Sequence, residues 1–148
     1  MDLPDSIRKE LTLAAPRDRV WRALTDPAEL VRWFPTHAAE VDLRPGGAVR
    51  FSWQDSEDEG VIDEVEPGER LVFRWRMQGS DRPSTRVAIT LTDIPEGGTR
   101  LVLTEEGFAA LADDERDEMI TGNAQGWAEE LEELRALVES PDMSLTQG

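Results

Sequence analysis

Glu105 is the side chain in this 148-residue chain best placed to do chemistry. It continues the alternation Leu101, Leu103, Glu105, so a carboxyl group follows two apolar side chains onto the inward face of a strand. A carboxyl there would have its chemistry tuned by its surroundings, and could move a proton or orient a ligand. The competing reading is a strand end from which the side chain reaches water. Because burial would favour its neutral form, Glu105→Gln is expected to be tolerated or stabilising near neutral pH. Asn123, one turn before Trp127, is the second polar candidate. The single histidine, His37, follows Trp33-Phe34-Pro35-Thr36, and no motif joins it to an activated serine and an orienting acid. A surface position is expected for it, and no catalytic residue is assigned.

Several chemistries are excluded outright. Cysteine is absent, so there is no thiolate nucleophile and no disulfide, and one histidine makes no zinc site of the usual kind. No glycine-rich phosphate loop, Walker-type lysine or nucleophile elbow is present, and no cofactor or metal is expected. The net charge of −16, from 32 acidic and 16 basic residues, makes nucleic acid a poor partner. Such acidity serves solubility or life at high salt, and composition leaves both open. The N-terminus lacks a basic region followed by an apolar run, and no window approaches eighteen apolar residues. A soluble cytoplasmic protein without membrane insertion is expected.

The elements that must position Glu105 and Asn123 follow from periodicity. Residues 113 to 139 read as one long helix, with Ile120, Ala124, Trp127, Leu131, Leu134 and Val138 on one face and Glu129, Glu130, Glu132 and Glu133 on the other. Ser140-Pro141 ends it. Residues 6 to 13 alternate as a first strand, 16 to 25 read as a helix, and Asp26-Pro27-Ala28-Glu29 starts a second short helix with a capping pattern. From 36 to 106, six strands are separated by turn clusters, one of them at 55 to 60. Val49, Phe51 and Trp53 share a parity, as do Leu71, Phe73 and Trp75, then Val87, Ile89 and Leu91. The opposite parity carries Arg50, Arg74, Arg76, Arg86 and Arg100. A sheet greasy on one face needs a cover, and the stripe of the long helix is the matching surface. The expectation is an α+β fold: a curved, seven-stranded antiparallel sheet, two short helices and a long C-terminal helix. Strand one should pair with strand seven, residues 1–141 should form one domain, and 142–148 a disordered tail.

Ala15-Pro16, the run Val20-Trp21-Arg22-Ala23-Leu24-Thr25-Asp26-Pro27, Trp33-Phe34, Arg44-Pro45-Gly46-Gly47, Val65-Glu66-Pro67 and Gly126-Trp127 stand in an order that resembles the Activator of Hsp90 ATPase homologue 1-like family. The resemblance runs from residue 6 to 138. It implies the START-like, Bet v 1-like helix-grip fold of the SRPBCC superfamily, with a largely apolar cavity between sheet and helix. By resemblance the cavity walls are Trp53, Trp75, Val87, Ile89, Leu103, Ala124 and Trp127, and parity and helix position add Glu105 and Asn123 as polar candidates. Each wall residue also reads as ordinary core. The implied function is binding of a small hydrophobic molecule by a monomer or homodimer. A cyclase- or aromatase-like enzyme using Glu105 or His37 is one alternative. The other is a chaperone-associated role through the acidic outer face of the helix. Chaperone contact is the weaker expectation, because the activator that names the family carries a further N-terminal domain that these residues do not include.

Overall fold

Alternation builds the sheet, and its inward residues decide where everything else packs. The computed structural model describes residues 6–34, 38–53, 56–77, 84–108, 111 and 113–139, so the expected tail lies outside the described residues. In chain order the elements are β1 (Ser6–Leu13), α1 (Arg17–Thr25), α2 (Pro27–Leu30), β2 (Ala38–Val41), β3 (Ala48–Ser52), β4 (Glu57–Glu66), β5 (Arg70–Met77), β6 (Thr85–Asp93), β7 (Thr99–Glu106) and α3 (Asp113–Glu139). The seven strands form one antiparallel sheet in the order β1-β7-β6-β5-β4-β3-β2, with Leu11 of β1 opposite Leu101 of β7. This is the expected helix-grip architecture. Val49, Phe51, Leu71, Phe73, Trp75, Val87, Ile89, Leu91, Leu101 and Leu103 are all buried on the concave face.

One turn expected from sequence is in fact strand. The acidic run Glu57-Asp58-Glu59 opens β4, because Glu57 meets Arg50 across the pair, at 2.9 Å, while Asp58 stands opposite Phe51 on the inward face. A β-bulge follows between Ile62 and Glu64. Strict alternation would aim Glu64 into the core, and the extra residue Asp63 keeps it outside, where it pairs with Arg70 and Arg86 while Asp63 pairs with Arg74.

The short helices lock onto one another. Asp26 caps α2 by accepting from the Ala28 amide, but Glu29 does not complete a capping box. It turns to Arg19 at 2.9 Å instead, because a charged partner on α1 offers a stronger bond than the Asp26 amide, which is bonded to the Arg22 carbonyl. Trp33 then donates its indole N–H to the buried Ala23 carbonyl at 2.8 Å.

α3 buries Ile120, Trp127, Leu131, Leu134 and Val138. Its far end is fastened to β1 by Arg135, which donates to the Thr12 carbonyl at 2.9 Å, and by Glu139, which accepts from the Ala14 amide at 2.8 Å. Ten acidic and two basic residues on α3 account for half the net charge. No described helix is long and apolar enough to cross a membrane. Gly122 is an exposed weak point, since a Cβ there meets nothing within 4 Å and mid-helix glycine costs about 1 kcal/mol against alanine. Gly122→Ala is expected to raise the unfolding free energy by about 0.5–1 kcal/mol, seen as a higher urea midpoint at unchanged slope.

Candidate functional site

Four elements bring one polar cluster together. Glu105 near the end of β7 keeps the inward parity of Leu101 and Leu103 and has no exposed surface. Thr85 starts β6, and opposite it on β5 lies Trp75. Asn123 and Trp127 share a face of α3, four residues apart. The Glu105 Oε2 accepts from the Trp75 indole N–H at 3.0 Å and from the Thr85 hydroxyl at 2.5 Å. Oε1 accepts from the Trp127 indole N–H at 2.9 Å, and the Asn123 amide NH₂ reaches both oxygens at 3.3 Å. A carboxylate buried this deeply is tolerable because donors converge on both of its oxygens. The partners are neutral, so the site is a hydrogen-bonded socket rather than an ion pair.

The donors leave no orphan, and this revises the expectation that Glu105→Gln would be tolerated. Two indole N–H groups and an amide NH₂ can only donate, so a second amide in place of the carboxyl presents them with another donor.

The socket fixes two indole planes, and the other rings gather around them. The chain has five tryptophans and four phenylalanines. All but Trp21 and Phe108 belong to one connected cluster: Trp33, Phe34, Phe51, Trp53, Phe73, Trp75 and Trp127. Trp75 and Trp127 lie 5.8 Å apart, centroid to centroid.

Two further carboxyls face this cluster. Burial first, and then the charge of Glu105, pushes Asp58 up from 3.8 to about 6. Burial also leads for Glu130, which is pushed from 4.5 to about 8 with help from Glu129, Asp58 and Glu105, against a hydrogen bond from Trp53 that lowers it. The sequence reading placed Asp58 in a turn and Glu130 on the acidic outer face of the helix, and the structure turns both toward the rings. Glu130 had a signal, because Asn123, Trp127, Glu130 and Leu134 are spaced four, three and four along the buried stripe. Asp58 had a weaker one, its parity with Ile62. Among the described residues no group of His, Asp or Glu could hold a metal ion.

Of the wall residues expected from sequence, Trp75, Trp127, Asn123 and Glu105 meet in the socket, and Trp53 packs against Trp75 at 6.4 Å. Val87 stands opposite Glu105, and Leu103 opposite Ile89, as buried core. Ala124 is half-buried against the core. His37 lies outside the described residues. The space between sheet and helix is nearly full. Among the described residues an apolar void there holds about 20 Å³, bordered by Leu24, Leu30, Phe34 and Phe51 among others, and of the nine candidates Ile89 and Trp127 reach it. That is room for about one water, in a lining too apolar to hold it. The filler is Phe34, which sequence did not single out.

The sequence model described as "Activator of Hsp90 ATPase homolog 1-like protein" matches residues 14–139. No curated protein matches the chain. Among solved structures, protein CV1439 from Chromobacterium violaceum is similar at 30% identity, over 95% of this chain and 100% of that one, with a TM-score of 0.75. CalU16 from Micromonospora echinospora is 32% identical over 94% of this chain and 78% of its own, TM-score 0.72. DynU16, a protein of the dynemicin biosynthetic locus, is 27% identical over 91% of this chain and 48% of its own, TM-score 0.74.

Proposed function

The chain belongs to the Activator of Hsp90 ATPase homologue 1-like family, and on that premise we propose that it binds a small hydrophobic molecule between the concave sheet and α3. The observation that carries this reading is the gathering of seven of nine aromatic residues into one cluster, two of whose indoles are pinned to a buried carboxylate. A core needs volume, and aliphatic side chains supply it without a buried charge that costs free energy to desolvate. Indoles held at fixed angles instead make a surface on which a flat apolar molecule gains contact area. The similarity to DynU16, from a biosynthetic locus, favours a natural-product-like ligand.

The test is native mass spectrometry of freshly purified protein, followed by titration with a neutral aromatic and a fatty acid while tryptophan emission and melting temperature are read. Binding should quench saturably and raise the melting point, by the equivalent of about 2.7 kcal/mol at a hundred times Kd. An empty mass spectrum with flat titrations for both probes sinks the reading.

A cyclase-like proton transfer on the bound molecule is the second reading, favoured by Asp58 at about 6 and Glu130 at about 8. Two carboxyls so separated can accept and give a proton near neutrality. A bell-shaped rate with limbs near those values would support it, and absence of turnover on poly-β-ketone substrates would remove it.

A further inference from the structure

Phe34 sits where a guest would sit. Its ring lies 5.3 Å from that of Trp127 and within 13° of parallel, and 5.6 Å from that of Trp75 at 32°. Phe51 and Trp53 meet it edge-on at 5.0 and 5.4 Å. Those four walls belong to β3, the residue following it, β5 and α3, and they are held without Phe34. Trp75 and Trp127 are tied to Glu105 through their N–H groups, and Phe51 and Trp53 pack directly on Trp75.

Phe34 itself comes from a different layer. It follows the four-residue α2, and its amide donates to the Leu30 carbonyl at 2.9 Å. The neighbouring Trp33 carries the firm attachment, its indole N–H on the Ala23 carbonyl. The ring can therefore leave the chamber at the cost of its own contacts, with the walls standing and Trp33 still anchored.

We infer that Phe34 is a built-in plug of an aromatic chamber, and that the ligand is a flat, uncharged aromatic ring system that takes its place. This rests on the ligand-binding reading above. The class follows from what surrounds the plug. The Trp127 ring, within 13° of parallel to Phe34, offers a face on which a flat molecule stacks, and the tilted Trp75 ring closes a second edge. Glu105 beneath the indoles excludes an anion, and its oxygens are already occupied by protein donors, so it offers a charged head group no partner. With the plug in place only a minor open population binds, which weakens apparent affinity by the inverse of that population.

The experiment is calorimetric titration of 2-naphthol and 2-naphthoate into the full chain and into Phe34→Ala. Populations of 0.1–10% for the open state predict that Phe34→Ala binds 2-naphthol about tenfold to a thousandfold more tightly than the parent, and that 2-naphthoate binds at least about tenfold more weakly than 2-naphthol in both. A folded Phe34→Ala that binds 2-naphthol no better than the parent overturns the plug while leaving ligand binding intact. Binding by the variant alone overturns both the plug and ligand binding by the parent, since a cavity cut into solid core also takes up a small aromatic. Equal affinity for 2-naphthoate overturns the assigned class. If Phe34→Ala does not fold, Phe34→Leu, which vacates part of the same space, is titrated in its stead and decides by the same comparison.

Discussion

Glu105→Gln is expected to destabilise the protein by about 1–3 kcal/mol, although it removes a buried charge and keeps the shape of the side chain. Wherever the new NH₂ lies, it faces a group that cannot accept. In place of Oε1 it meets the Trp127 indole N–H, and in place of Oε2 it meets the Trp75 indole N–H. Asn123 can turn its amide to offer its oxygen, and the Thr85 hydroxyl can rotate to accept, but an indole has no such freedom. One buried N–H is left facing another donor, and an orphan of that kind costs about 1–3 kcal/mol. Relief from desolving the carboxylate works in the opposite direction, and it is small because converging donors already offset that cost. Glu105→Leu strands both indoles together with Asn123 and Thr85, and should lose more than Gln. Urea melts of the three proteins measure the order. If Gln matches the parent, the donors are not held by Glu105, and the socket has no structural role.

The expected fold emerged from sequence because period two and period 3.6 were each backed by burial. Leu71, Phe73 and Trp75 share a parity opposite Arg70, Arg74 and Arg76, and the stripe from Ile120 to Val138 is the buried face of α3. The inward aim of Glu105 was legible for the same reason, since parity carries over to a polar residue as well as to an apolar one. Its partners were not, because sequence places residues on faces and not at distances. Nothing local joins Trp75 to Trp127 across fifty-two positions. The charged entry to β4 hid in plain composition: Glu57-Asp58-Glu59 has no apolar alternation, and its strand character comes from cross-strand partners such as Arg50. Phe34 was quoted for its place in a family pattern, yet its position inside the ring cluster depends on how α1 and α2 fold back over the sheet. That is a tertiary fact with no local signature.

Glu130 gives the widest pH response. Its carboxyl moves from 4.5 to about 8 on folding, chiefly through burial and then through Glu129. Between those values the folded state holds a proton that the unfolded state lacks, so stability must fall as pH rises from about 4.5 to about 8. Below 4.5 both states are protonated and the residue contributes no slope. Asp58 adds the same sign over the lower part of the range, from 3.8 to about 6. The full displacement corresponds to about 5 kcal/mol, but Glu130 is only half-buried, and water screens it to about 2 kcal/mol. Glu130→Gln keeps the shape without the proton. It should match the parent near pH 4 and melt about 4–8 °C higher near pH 8.5, the shift that 2 kcal/mol produces in a domain of this length. Loss of one negative charge from an acidic protein stabilises by itself, so Glu133→Gln, on the exposed side of α3, supplies the control. The quantity that decides is the difference between the two variants as a function of pH. A constant difference from pH 4 to 8.5 would mean that Glu130 titrates like a surface acid and that the interior next to Trp53 is open to water. A difference that grows through that range places an acid that stays protonated at neutral pH beside the aromatic chamber.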